Sequence, residues 1–483
     1  MTLLKAIQNE QIRTLTENGA FAHNTSGSAL TDLFAEAGAL RSRREIEIAS
    51  MFAKGLQEDE TAALKLSFYT RDVRGGLGER RTGRIFLQVL AALRPSLLRR
   101  NLQYIPEYGR WDDLLSLLKT PLKNDVIRLL KKQLMQDCDQ MRKYEEVSLL
   151  AKWLPSVNAS SRETAETGKM LAEAFGMSER TYRKTLSALR SRIHLTESLM
   201  TERAYDEINY EHVPSLAMNR YRNAFFRNDE EHFTAYLEAV KAQKKTIHSA
   251  TLFPYDITEK YLYRSLEPDP VLEAQWNALP EYVHGDQNIL IMADVSGSMY
   301  GRPLATSIGL AIYFAERNQG IFHNRFMTFS GRPELVEVKG ETLYEKIINA
   351  RNADWDMNTN LEAAFLRILQ AAVKSHCRQE DMPDSLIIIS DMEIDRCAYG
   401  TDTLFSDAMK RKFARYGYTL PDVVFWNVES RHNLFHASAF SENIQLASGQ
   451  SAAVFEALMN ADHMTPYDFM MKTLNSERYE RIH

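Results

Sequence analysis

Cysteine is scarce in this 483-residue chain: Cys138, Cys377 and Cys397 are the only three, and no two form a CxxC pair. So odd and scattered a set excludes a disulfide framework or a cysteine-based zinc site, and it suits a reducing compartment. Long apolar runs are lacking too. No stretch reaches the roughly 20 residues that span a bilayer, so no membrane partner is expected. The N-terminal MTLLKAIQNEQIRTL is too polar for a secretory signal, and a cytoplasmic location is the expectation. No Ser/His/Asp or Cys/His/Asp grouping has a local catalytic context. The 12 histidines are scattered, and His194, His212 and His232 read as structural or exposed residues. The GGLG run at Gly75–Gly78 is neither a Walker A loop nor a complete dinucleotide fingerprint.

The length suggests two or three domains. With 44% hydrophobic and 25% charged residues, packed cores rather than disorder are expected. The net charge of −5 hides an asymmetry. From Asp286 onward there are 19 Lys and Arg against 26 Asp and Glu, whereas residues 61–110 carry 10 against 3. The C-terminal half would repel a polyanion, and one stretch of the other half would attract it.

Residues 28–265 read as helix, with apolar residues three and four apart and breaks at Gly75–Gly76, Pro95, Pro106, Pro121, Pro155 and Pro214. Many medium helices with short breaks suggest a stacked, HEAT-like array, although no motif repeats at fixed period. A Pro-containing linker is expected over 266–286, and no sheet before residue 250. From 287 to 483 short apolar runs alternate with helical stretches. Strands are predicted at Asn288–Ala293, Arg325–Phe329, Ser385–Ser390 and Asp422–Val428, with Asn443–Leu446 as a candidate edge. Helices are predicted around Leu304–Glu316, Leu361–Val373 and Thr403–Arg415, and further helices at the C-terminus. This is the pattern of a parallel, doubly wound α/β domain. Residues 1–27 and 464–483 are left to pack on the body and join the two halves.

In such sheets ligands bind beyond the carboxyl ends of the strands. There NILIMA runs into Asp294-Val295-Ser296-Gly297-Ser298, turning three oxygen-bearing side chains toward one point. The strand IIIS ends at Asp391, and the loop ADWDMNTN presents Thr359. Oxygen donors of this kind suit a small hard cation, Mg²⁺ or Mn²⁺. The alternative is a set of helix caps without metal. This constellation resembles the metal-ion-dependent adhesion site of von Willebrand factor A (VWA) domains. The resemblance assigns Asp294, Ser296 and Ser298 to the first loop, Thr359 to the second and Asp391 to the third. It also implies a cation with one position open for an acidic group from a partner. The second and third loops lack their usual glycines, so Asp356 or Glu393 is a substitute ligand, although both read more simply as solvated carboxylates.

Three arginine blocks mark the helical half. Arg71, Arg74, Arg80, Arg81 and Arg84 flank the GGLG turn. Arg180, Tyr182, Arg183 and Lys184, with Arg190 and Arg192, form the second. Arg220, Tyr221, Arg222, Phe225, Phe226 and Arg227 form the third. Guanidinium groups with aromatic rings suit single-stranded nucleic acid, although such helices are more often solvated faces over a core. Trp111, Asp112 and Asp113 read as packing and capping residues. The phrases RDVRGGLGER, EYGRWDDLL and PSLAMNRYRNAFF, with the C-terminal unit, resemble the TROVE or Ro autoantigen family and helical-plus-VWA relatives from bacteria and viruses. That resemblance implies a non-enzymatic RNA-binding protein, taking structured small RNA or single-stranded ends and acting in RNA quality control or processing. The alternatives are a metal-dependent protein-interaction adaptor and, with no positioned general base, a metal-dependent nuclease.

Overall fold

Most helix starts between Ala29 and Asn277 have a local cause. Ser28, Asp59, Ser161 and Ser178 each accept a backbone N–H of the turn that follows, and Pro95 and Pro270 sit in first turns where no N–H is needed. The computed structural model describes residues 11–193, 196–264, 267–283, 288–328, 332–352, 359–396, 403–459 and 464–483. Successive helices share a core: Glu45–Glu58, Glu60–Arg71 and Arg80–Leu93 pack together, with the Phe52 and Phe86 rings stacked 4.3 Å apart. Among the described residues no helix is long and apolar enough to cross a membrane.

The C-terminal half holds a six-stranded mixed sheet. Its strands are β3 (Ile289–Ala293), β4 (Arg325–Thr328), β5 (Leu335–Glu337), β6 (Ser385–Ser390), β7 (Asp422–Asn427) and β8 (Ile444–Ser448), in the order β5-β4-β3-β6-β7-β8. All neighbours are parallel except β5, which runs antiparallel to β4. The central strands are apolar on both sides because both are covered. Ile289, Ile291, Ile387, Ile389 and Trp426 face the helix Arg302–Arg317. Leu290, Met292, Leu386, Ile388 and Phe425 pack with residues of the helices Leu361–Ser375 and Phe405–Arg415.

Three features depart from expectation. Residues 266–286 are more than a linker, since Pro270–Asn277 is a helix capped by Asp269. Proline there starts a helix instead of breaking one. Trp276 donates its indole N–H to Glu316 at 2.9 Å, fastening this segment to Arg302–Arg317. Second, a small sheet precedes residue 250: β1 (Arg13–Leu15) and β2 (Phe21–His23) form an antiparallel hairpin. Three-residue strands are too short to show alternation, and this pair is supported by bridges from Gly19 to Asp395 and from His23 to Phe435. Third, the antiparallel edge β5 had no signal in the sequence. Residues 1–10, Cys397 and Phe329 lie outside the described residues.

The two halves share one core. It runs from Leu30 to Ile482 and includes one face of the sheet. Every residue from Leu304 to Ala315 is buried, because the helix Pro254–Tyr263 covers the side turned away from the sheet. Gly309 permits that approach: a Cβ there would stand 2.9 Å from Thr258 Oγ1. The chain ends cross over. The helix Ala29–Glu36 lies on β8, with the Gly38 N–H donating to Ser448 Oγ at 3.0 Å. Pro466–Leu474 packs on Glu60–Arg71.

Glu36 is 1% exposed in this docking surface. Burial pushes its carboxyl up to about 8 from an ordinary value of 4.5, with the Arg43 charge opposing the rise. The folded chain therefore keeps a proton that the unfolded chain releases, and this group's contribution to stability falls as pH rises from about 4.5 to 8. Glu36→Gln should unfold in urea much like the wild type at pH 5 and be the more stable of the two near pH 8.5. A stability difference that is the same at both pH values would rule out a proton held in this site.

Candidate functional site

Asp294 continues the ladder one step beyond β3, its N–H donating to the Ile389 carbonyl at 2.9 Å. This pins its side chain at the carboxyl edge of the sheet, where it is 0% exposed. Its Oδ1 accepts the Ser296 N–H at 2.9 Å and its Oδ2 the Ser390 hydroxyl at 2.6 Å. Ser296 and Ser298 follow on a single helical turn with their hydroxyl oxygens 3.0 Å apart. Asp391 leaves β6 at the same edge, also buried. Burial first, and the Asp391 charge second, raise the Asp294 carboxyl above the usual range. Asp391 Oδ2 receives Arg431 at 2.5 Å and Oδ1 the Glu393 N–H at 3.2 Å. Each of these carboxylate oxygens keeps lone pairs to spare.

Thr359 is held differently. Its hydroxyl oxygen lies 2.9 Å from the Glu393 carbonyl and 2.8 Å from Asp395 Oδ1, and it accepts the Asn18 amide N–H at 2.8 Å. The structure thus gathers Asp294, Ser296, Ser298 and Asp391, and commits the Thr359 hydroxyl to the neighbouring loop and the hairpin. Glu393 is a correction: expected as a solvated carboxylate, it is 2% exposed. It accepts the Glu17 N–H at 2.6 Å and is 2.9 Å from His432 Nδ1. Asp356 and His194 lie outside the described residues; His212 and His232 are exposed.

The two long helices at this edge are not capped by these residues. Gly301 precedes the helix Arg302–Arg317 without a side-chain cap bond, and Asn360 caps Leu361–Ser375. Ser296 stands at the N-cap position of the short turn Gly297–Met299 without a side-chain cap bond. None of the four caps either long helix, and their donors are all oxygen, a set suited to a hard divalent cation. Sequence reasoning missed Glu17, Asn18, Arg431 and His432. The strand-end rule that found Asp391 would also have pointed to NVESRHN after β7.

The arginine blocks are largely consumed by the fold. Arg71 is a correction: it is 3% exposed and its Nε lies 2.7 Å from Asp113, so it is an interior cation. Arg84 pairs with Asp112 and Asp113, and Arg80 with Asp112. Arg74 and Arg81 donate to the carbonyls of Glu107 and Arg43, each at 2.9 Å. In the second block Tyr182 is buried, and Arg190 binds the Ala151 and Leu154 carbonyls at 2.8 Å. Arg192 reaches the Tyr144 carbonyl, while Arg180, Arg183 and Lys184 are exposed. In the third, Arg222 pairs with Asp269 at 2.6 Å and Phe225 is core. Arg220 and Arg227 are exposed. Arg220 and the half-buried Phe226 line an open groove of about 870 Å³ together with Lys260 and Arg264.

Two family models match the chain. "Domain of unknown function (DUF2828)" covers residues 16–128 and 120–286, and "Domain of unknown function (DUF7788)" covers 288–481. The chain is 30% identical to "Uncharacterized protein L728" of Acanthamoeba polyphaga mimivirus, over 95% of this chain and 87% of that protein. The chain belongs to the DUF2828 family.

In this DUF2828 chain the glycine-rich turn is a latch for the C-terminus. A Cβ at Gly76 would stand 2.1 Å from the Tyr69 carbonyl oxygen, and one at Gly75 2.7 Å from Arg478 Nε. The glycines let the turn pass beneath Arg478. Asp72, 0% exposed, accepts the Nε and Nη2 N–H groups along one edge of the Arg478 guanidinium, the latter at 2.6 Å, and the Tyr479 hydroxyl at 2.9 Å. Arg478→Ala should cost about 1–3 kcal/mol by leaving part of the Asp72 carboxylate unsatisfied. In a denaturation cycle with Asp72→Ala, the double variant should lose less than the sum of the singles, by roughly 0.5–3 kcal/mol. Strict additivity would show that the latch contributes no pairwise energy.

Proposed function

We propose that this protein is a non-enzymatic binding protein in which a HEAT-like helical array carries a VWA-like α/β domain. Asp294, Ser296, Ser298 and Asp391 would hold one Mg²⁺ or Mn²⁺ there and present it to an acidic group of a protein partner. The observation that carries this reading is the all-oxygen cluster at the sheet's carboxyl edge, in which Asp294, Ser296 and Asp391 are buried, Ser298 is exposed, and none caps either long helix there. Two carboxylates buried side by side need positive charge, and Arg431 satisfies only Asp391. A bound cation would supply a site for a carboxylate ligand. Thr359 accepts one hydrogen bond, from Asn18, and keeps a second lone pair on its hydroxyl oxygen. In calorimetric titration with Mg²⁺, Asp294→Ala should weaken binding at least about tenfold, because losing even an outer-shell partner of a metal site costs about 10–100-fold. Equal affinity in wild type and variant would reject the cation site.

RNA binding of the TROVE or Ro type is the second reading, favoured by the groove of Arg220, Phe226, Lys260 and Arg264. Its lining cations, Arg220, Arg222, Lys260 and Arg264, outnumber the carboxylates of Glu267 and Asp269, and a net-positive groove with an aromatic wall follows phosphates and stacks bases. The test belongs on this groove, because Arg80 and Arg84 hold Asp112 and Asp113 in place. Affinity for single-stranded oligouridylate should fall steeply with salt. The charge reversal Arg220→Glu with Lys260→Glu should weaken it and flatten the salt slope by about one for each phosphate no longer neutralised. Asp294→Ala should leave it unchanged. No RNA retention even at low salt would remove this reading and leave the metal-dependent adaptor.

A further inference from the structure

Independently of the Asp294 edge, we propose that Glu17, Glu393 and His432 form a second cation site, for a d-block divalent ion such as Zn²⁺, that clamps the N-terminal hairpin to the α/β unit. Three distant parts of the chain supply it: the turn between β1 and β2, the loop after β6 and the loop after β7. One ligand atom from each lies within 4.8 Å of the others. His432 Nδ1 is 2.9 Å from Glu393 Oε1 and 3.7 Å from Glu17 Oε1. Ligand atoms around a tetrahedral zinc stand roughly 3.3–3.5 Å apart, given bonds of about 2.0–2.1 Å. The observed separations bracket that spacing, so small side-chain rotations complete the site.

The orientation of the carboxylates supports the assignment. The outer oxygen of each is already held from outside: Glu393 Oε2 by the Glu17 backbone N–H at 2.6 Å, Glu17 Oε2 by Arg431 Nη1 at 3.5 Å. The inner oxygens are left to converge on one imidazole nitrogen. Outer partners that fix ligand orientation in this way are characteristic of metal sites. Glu393 is buried, whereas the Glu17 and His432 side chains are 48% and 57% exposed, which gives an ion a route in and water a place as the remaining ligand. Glu17 and Asp391 both pair with the single guanidinium of Arg431, which also feels the Glu393 charge. The imidazole sets the ion preference: Mg²⁺ and Ca²⁺ take oxygen, whereas zinc and cobalt accept nitrogen beside carboxylate.

The competing explanation is His432 hydrogen-bonded between the two carboxylates, which would produce similar distances without metal. Titration of the full chain with Co²⁺ in saturating Mg²⁺ separates the two. One Co²⁺ per chain is expected, with visible absorption that Zn²⁺ displaces. His432→Ala and Glu17→Gln should each weaken it about tenfold or more, and Asp294→Ala should leave it intact. Glu17→Gln changes only an exposed side chain, so its loss of affinity cannot be laid to misfolding. Zn²⁺ should also slow amide exchange in residues 13–23. The proposal is overturned if Co²⁺ does not bind in the presence of Mg²⁺, if both variants bind as the wild type does, or if Asp294→Ala loses as much as His432→Ala. Mg²⁺ calorimetry at Asp294 is a separate readout, so failure here leaves that site standing.

Discussion

Burial of the helix Arg302–Arg317 on both its sides is the constraint on which the rest of the molecule depends. A helix covering a sheet ordinarily leaves one face to water. Here that outer face is roofed by Pro254–Tyr263, with Gly309 setting the spacing and Thr258 donating to the Ala305 carbonyl at 2.8 Å. The helical half is thereby one wall of the α/β half's core. The family-model boundary between 286 and 288 divides the sequence without dividing the core. A change in the packing of either half is transmitted through this helix, because a close-packed interior does not absorb displacement locally.

With one sheet face closed by the helical body and the other by its own helices, the carboxyl edge is the part of the sheet left for polar side chains. Successive strands deliver Asp294, Ser390 and Asp391, and Asn427 to it. The buried carboxylates there would repel one another if nothing else were present. The chain answers with Arg431 from the loop after β7 and with the β1–β2 hairpin, whose Asn18 and Glu17 backbone amide donate into the loops that carry Thr359 and Glu393. The N-terminal segment is therefore part of the edge's electrostatics as well as of its shape.

The sheet was legible because its central strands are continuous apolar runs, and buried parallel strands leave that trace. Asp294, Ser296, Ser298 and Asp391 were legible because the strand-end rule reduces a three-dimensional question to reading the residues after each run. The hairpin was not. RTL and FAH have no periodicity of their own and are organised by partners more than 370 residues away. The contents of 266–286 were misjudged because proline carries opposite meanings at a helix start and in a helix interior. Glu393 was misplaced because exposure of a loop carboxylate depends on what covers the loop, and that cover comes from the other end of the chain.

The arginines follow the same logic. Composition gives residues 61–110 an excess of positive charge, but charge counted along a sequence is not charge presented at a surface. Asp112 and Asp113 lie just beyond that window and are shared as ion-pair partners by Arg71, Arg80 and Arg84. Asp72 within it is turned to Arg478 at the far end of the chain. In the third block Arg222 is taken by Asp269, while Arg220 gains Lys260 and Arg264 as neighbours that no sequence window would have grouped with it. The arginines near the glycine turn therefore hold neighbouring helices and loops of the helical half together, and Asp72 among them holds the C-terminal segment. The outward basic surface is assembled by tertiary packing from residues that are isolated in sequence, and a polyanion would meet that surface rather than the block that composition singles out.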